Sequence, residues 1–284
     1  MKTYLVGFRK RPYVFAPPAA PGVLGRWRDA VVALAALALT AATVSADVVV
    51  LPSARDNTLY EDPTGQVSNG AGSAMFAGRN SQPSNSIRRA LLAFDVAGSI
   101  PPGSIIEAVS LALYNDAANA SLETVELRRV TQDWGEGTSV ATGGQGSGAP
   151  ATPGDATWLH AFYDTDFWAN PGGVFAANSS ASALIGGPGA YTWNMAAALV
   201  ADAQSFLDDP QTNFGWALVG NEAAGNTAKR FATREAVDAA ARPALTVTFT
   251  PIPEPSTFMI VAGGAIWVLR AARGTRRASL VLKR

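Results

Sequence analysis

Through the middle of the chain, apolar and polar residues alternate in short runs punctuated by Gly, Pro, Asn and Asp. In RPALTVTFT (residues 242–250), Leu245, Val247 and Phe249 alternate with Ala244, Thr246, Thr248 and Thr250. A period of two predicts a strand with one buried face. RRALLAFDV (88–96), IIEAVSLALYN (105–115), ETVELRRV (123–130) and FGWALVG (214–220) are β-prone runs bounded by turn formers and also read as strands. One stretch has helical spacing instead. NMAAALVADAQSFLDDP (194–210) puts Met195, Leu199, Ala203 and Phe206 on one face, with Asn194 as N-cap and Pro210 as stop. Many short strands and a single clear helix predict an all-β fold, an antiparallel β-sandwich with one or two short helices, over residues 47–250.

The pattern changes at both ends. Near the start, Arg26 and Arg28 precede AVVALAALALTAATVSA (30–46), which closes on the small residues Val44-Ser45-Ala46. A basic flank, a short apolar run and a small-residue terminus form the secretory pattern. It predicts cleavage between Ala46 and Asp47 by a signal peptidase, removing residues 1–46 with their long basic leader. At the other end, Pro251, Pro253 and Pro255 cannot continue a strand ladder and mark an extended linker. The apolar run 258–269 that follows is twelve residues, about 18 Å of helix against a hydrocarbon core of about 30 Å. If Arg270 lifts its charge to the interface, residues 256–272 reach roughly 25 Å, enough for a short transmembrane helix. Arg273, Arg276 and Arg277 would then stay on the cytoplasmic side.

Charge sharpens this division. The 284 residues carry 22 basic and 22 acidic side chains. Six basic residues and one acid precede Asp47, and the same numbers follow Thr250, so the central region has ten basic against twenty acidic groups, a net of −10. An acidic body disfavours phosphate backbones, and nucleic acid is not an expected partner. The sequence contains no cysteine, which removes disulfides, thiolate nucleophiles and zinc–thiolate sites.

Pro253-Glu254-Pro255, the apolar run and the terminal arginines Arg270, Arg273, Arg276 and Arg277 together resemble the PEP-CTERM sorting signal of exported bacterial proteins. That resemblance implies processing by an exosortase at the inner membrane, and delivery to the cell surface, outer envelope or extracellular matrix in bacteria that make exopolysaccharide. The central region resembles the DNRLRE family. The resemblance rests on RDNTLYED (55–62), RRALLAFDV with IPPGSIIEAVSLALY, VELRRVTQDWGEGTS (125–139) and NFGWALVG…AKRFATREA…RPALTVTFT, in that order. It implies a jelly-roll module similar to carbohydrate-binding modules, and hence a non-catalytic carbohydrate-binding or structural role.

Candidate chemistry is sparse. His160 is the sole histidine, and no Gly-x-Ser-x-Gly elbow is present, so a hydrolase triad and multi-histidine metal sites lack their residues. A polysaccharide-degrading enzyme needs two carboxylates about 5 Å or about 6.5–9.5 Å apart. The candidates are Asp133 and Glu136 in DWGEGTS, where Trp134 is a candidate sugar platform and Gly135 and Gly137 permit close backbone approach. Equally, Trp134 fills the core and the acids bond turn amides.

DATWLHAFYDTDFWANPGG (155–173) is the most ligand-like stretch: Trp158, Tyr163 and Trp168 suit sugar C–H faces, and its carboxylates and amides suit hydroxyls. Asp164 and Asp166 are candidate Ca²⁺ ligands, without the full ligand spacing of an EF-hand loop. The same aromatics also read as packing beneath a long loop. TGGQGSGAPATPGD (142–155) has no nucleotide-loop context and reads as a flexible surface loop. A purely structural or adhesive surface domain remains a third reading beside binding module and enzyme.

Overall fold

The computed structural model describes residues 45–116 and 119–252, and these are built of antiparallel strands, one α-helix and two single-turn 3-10 helices. The strands are β1 (Asp47–Tyr60), β2 (Val67–Ser68), β3 (Ala74–Arg79), β4 (Ile87–Phe94), β5 (Ile105–Asn115), β6 (Glu123–Arg129) and β7 (Ala149–Pro150). After them come β8 (His160–Phe162), β9 (Asp166–Phe167), β10 (Ala181–Ile185) and β11 (Gly189–Trp193), then helix α1 (Ala197–Asp208), and finally β12 (Trp216–Val219), β13 (Lys229–Ala232) and β14 (Ala244–Thr250). The sorting residues Pro253, Glu254, Pro255, Arg270, Arg273, Arg276 and Arg277, the proposed membrane segment and the apolar leader lie outside the described residues. Among the described residues no helix is long and apolar enough to cross a membrane.

β1 is the corner of the architecture. Residues 47–52 pair with β14, from Asp47 opposite Phe249 to Pro52 opposite Ala244. The register then shifts between Ser53 and Arg55, and the rest of the strand pairs with β4 as far as Tyr60 opposite Arg88. A bulge of this kind re-aims a strand and increases its twist. β3 makes a similar crossing, with Ala74 to Ala77 against β13 and Gly78–Arg79 against β4. The pairing path therefore runs β1-β14-β5-β13-β3-β4 and returns to β1, while β12, β6 and β10 extend from β4.

Alternation along the strands decides what fills the centre. Val109, Leu111 and Leu113 of β5 and Leu245, Val247 and Phe249 of β14 meet Leu92 and Phe94 of β4, Leu218 of β12 and Leu127 of β6 in one buried cluster. Burying each such side chain contributes about 1.5–3 kcal/mol. α1 adds Leu199, Ala203 and Phe206, and Gln204 anchors it by accepting the Ile106 N–H at 2.8 Å. The helix starts later than its spacing predicts. Ala196, not Asn194, is the capping position, no side-chain cap forms, and Met195 is 63% exposed outside the helix.

β4 is buried on both faces, which explains why ALLAF does not alternate. Its opposite face, Leu91 and Ala93, joins Ala217 and packs against Trp134, Ala156, Ala161 and Trp168. A long excursion after β6 thus lies over this sheet as a second apolar layer. The Gly/Pro-rich stretch within it is more firmly held than a flexible loop. Gln145 O accepts from the Tyr60 hydroxyl at 2.8 Å, Gly146 O accepts from Arg88 Nε at 3.1 Å, and β7 pairs with β2.

Candidate functional site

Two constellations carry chemistry-bearing residues. The first joins β1, the DWGEG segment and the turn after β13, three of the segments on which the family resemblance rests. Asp133, a candidate acid, pairs with Arg55 at 2.9 Å and accepts the Trp134 backbone N–H at 2.8 Å. Glu136, the other, receives a two-pronged bond from Arg234, Nε to Oε1 at 2.7 Å and Nη2 to Oε2 at 2.5 Å. Its Oε1 also accepts the Asp56 backbone N–H at 2.8 Å. Each acid is thus committed to its own arginine, a charge-assisted holding arrangement.

Trp134 is wholly buried. Its indole N–H donates to Phe214 O at 2.8 Å, and the Arg55 guanidinium lies 4.4 Å from the ring centroid. It presents no face to a sugar, and the structure removes it from the sugar platform. The neighbouring glycines do permit close approach, but to the protein's own chain: a Cβ on Gly135 would sit 1.8 Å from Gly154 O. On Gly137, whose φ is +72°, it would sit 1.7 Å from Asp155 Oδ1.

Residues that the sequence left unassigned complete this joint. Asp56 is fully buried, and its Oδ2 accepts the Arg234 backbone N–H at 3.0 Å. Arg234 Nε also lies 2.9 Å from Glu235 Oε1. Asp56 Oδ1 and Glu235 Oε2 are buried without a hydrogen-bond partner. Burial, with added repulsion from Glu235 and Glu136, pushes the Asp56 carboxyl up to about 8. Burial also raises Glu235, against the pull of Arg234. Next door, Asn57 locks the backbone: Nδ2 donates to Glu136 O at 2.8 Å, and Oδ1 accepts from Ser68 Oγ at 3.0 Å and the Asn69 N–H at 3.2 Å. The sequence clue was RDN and TRE, short polar runs interrupting strands.

The second constellation is the hairpin of β8 and β9. Its turn closes with Thr165 N–H donating to Phe162 O at 3.0 Å, and Asp164 takes φ +68° at the tip. Phe167 is 65% exposed and packs 4.4 Å from the His160 ring at 34°; Tyr163, half-buried, meets His160 edge-on at 5.2 Å. His160 itself is buried, Nδ1 lying 3.1 Å from Thr157 Oγ1.

The other predicted aromatics turn inward. Trp168 is buried with its indole N–H donating to Thr157 O at 2.9 Å, so it cannot stack on an external ring. Trp158 is half-buried, with Arg89 4.9 Å from its ring centroid. That arginine is held by Glu222 at 2.7 and 2.9 Å and by Gly172 O at 2.7 Å. What remains toward water is a small ridge of exposed Phe167 and half-buried Tyr163 beside Asp164 and Asp166.

Asp164 and Asp166 are both exposed; Asp166 Oδ2 accepts from Thr165 Oγ1 at 3.2 Å. Among the described residues, no group of three or more His, Asp or Glu side chains is arranged to hold a metal ion. Two shallow grooves, each about 410 Å³, lie elsewhere. One is lined by Ala108, Ser110, Met195, Thr246 and Thr248, the other by Glu123, Glu126, Arg128 and Asn221. Neither reaches the acid joint or the hairpin. Set against known proteins, the chain matches no family model, and no curated protein matches it in sequence.

Proposed function

We propose that this chain is an exported cell-surface or extracellular-matrix protein whose acidic β module is a jelly-roll-like sandwich that binds carbohydrate without catalysis, in association with exopolysaccharide. The single observation that carries the binding role is the hairpin ridge, where an exposed phenylalanine is stiffened by a buried histidine and flanked by tyrosine and two carboxylates. An exposed phenylalanine ring beside a half-buried tyrosine on a short hairpin offers a small contact surface. Rigid rings facing sugar C–H groups, with neighbouring oxygens for hydroxyls, supply that contact. The PEP-CTERM likeness of Pro253 to Arg277 and the secretory pattern ending at Ala46 support export. β1 begins at Asp47, so cleavage at that bond leaves the strand whole. The DNRLRE likeness agrees with the module, since its RDN, WGEG and TRE segments meet at one joint.

The test is affinity electrophoresis of the purified chain through gels containing neutral and acidic polysaccharides. Retardation is expected, and Phe167→Ala combined with Tyr163→Ala should remove it. Unchanged mobility of the wild-type chain in every gel would favour a purely structural or adhesive domain. Release of reducing ends from those polysaccharides, lost in Glu136→Gln, would favour the polysaccharide-degrading enzyme instead.

A further inference from the structure

The joint between β1, the DWGEG segment and the turn after β13 is short of positive charge. Three carboxyl groups, Asp56, Glu136 and Glu235, converge on Arg234: Glu136 and Glu235 on its guanidinium and Asp56 on its backbone N–H. Glu136 is satisfied by Arg234 and the Asp56 N–H, and the nearby Arg55–Asp133 pair neutralises itself. Asp56 and Glu235 each keep one oxygen buried and unbonded. Burying an acceptor with no donor is costly, and native proteins rarely leave one so. Two such oxygens within one cluster of excess negative charge point to a missing donor at the joint.

We propose that the Asp56–Glu235 carboxyl pair holds a single proton near neutral pH, making the joint a latch that tightens in acid and loosens in alkali. The proton removes one negative charge and supplies a hydrogen-bond donor to a joint short of them. Its loss leaves three carboxylates around one arginine, the charged groups that act on Asp56 being Glu136, Glu235 and Arg234. What loosens is defined by the bonds already described: Arg234 N–H to Asp56, Asp56 N–H to Glu136, and Arg234 to Glu136. Those bonds staple three segments that are distant in sequence.

The direction with pH follows from the proton count. The folded chain keeps the Asp56 proton up to about 8, while the unfolded chain releases it near 3.8. Between those values the folded state binds more protons, so stability from this group falls as pH rises and levels off above about 8. This runs opposite to ordinary acid denaturation.

The test uses the full-length chain and follows melting temperature from pH 5 to 9.5 for wild type, Asp56→Asn and Glu235→Gln. Asn keeps an acceptor for the Arg234 N–H and supplies a permanent donor without releasing a proton. The wild-type melting temperature should fall with pH, and Asp56→Asn should melt about 5 °C or more above it at pH 8 with a flatter profile. Glu235→Gln should flatten it in the same sense. A ¹³C titration of the wild type, which is independent of any variant's folding, should show the Asp56 carboxyl carbon shifting between pH 6.5 and 9. The proposal is overturned if that carbon is already ionised at pH 6, if Asp56→Asn melts lower with an unchanged slope, or if a chelator lowers the wild-type melting temperature. The last outcome would mean that a cation, not a proton, fills the joint.

Discussion

The acid joint and the aromatic hairpin are built from the same kinds of residue that sequence reading associates with function, yet their atoms are used in opposite ways. At the joint, both arginines and all four carboxyl groups are engaged in bonds within the chain, with one oxygen each of Asp56 and Glu235 left over, and Trp134 between them is fully buried. At the hairpin, Phe167 faces water and the Asp164 and Asp166 carboxylates carry no ion pair among the described residues. One region spends its chemistry on holding the fold, and the other leaves its chemistry free. Residue type alone does not separate the two, whereas the accounting of partners does.

That contrast predicts a graded series. The largest effect belongs to Trp134→Ala, which opens a cavity between the sheet and the excursion and leaves Phe214 O without its donor. A loss of about 3–5 kcal/mol is expected in denaturant unfolding. Arg234→Ala comes next. It strips Glu136 and Glu235 of their countercharge, but the arginine side chain is 41% exposed, so water offsets part of the loss and about 1–2 kcal/mol is expected. Substituting Phe167→Ala should change stability by less than about 0.5 kcal/mol while removing glycan retardation. A large destabilisation there would mean that the ring is packing after all, and the contrast between the regions would fail. Smallest of all is Asp164→Asn. Asn tolerates the left-handed backbone at that tip, so calorimetry should show no change in melting temperature.

Strands with one wet face were legible from their letters. IIEAVSLALYN became β5 with the bounds of its β-prone run, and β14 alternates throughout. β1 was not, because Asp56 to Tyr60 are buried on both sides and read as a polar run, DNTLY, with no period. Their burial depends on the excursion and on β13, which are remote in sequence. The helix start was misjudged because Asn194 and Met195 fit a cap and a face locally, while β11 continues to Trp193 and sets the true entry.

At the site, sequence singled out the correct segments but not the direction of their side chains. Trp158, Tyr163, Phe167 and Trp168 lie within eleven residues, and only folding distributes them between the second core and water. Asp56 and Glu235 were invisible as partners because 178 residues separate Asp56 from Arg234 across the bond that joins them.

Asp47 lies opposite Phe249, so the module's two ends leave it side by side on adjacent antiparallel strands. Tension applied between them would open the β1–β14 ladder one rung at a time, since the load falls on the outermost pair before the next. Six paired positions in series resist such peeling far less than the same six sheared together. In a pulling experiment on the two ends, β1 should therefore detach at low force as far as the bulge at Ser53, where the chain turns into the other sheet and the geometry of loading changes.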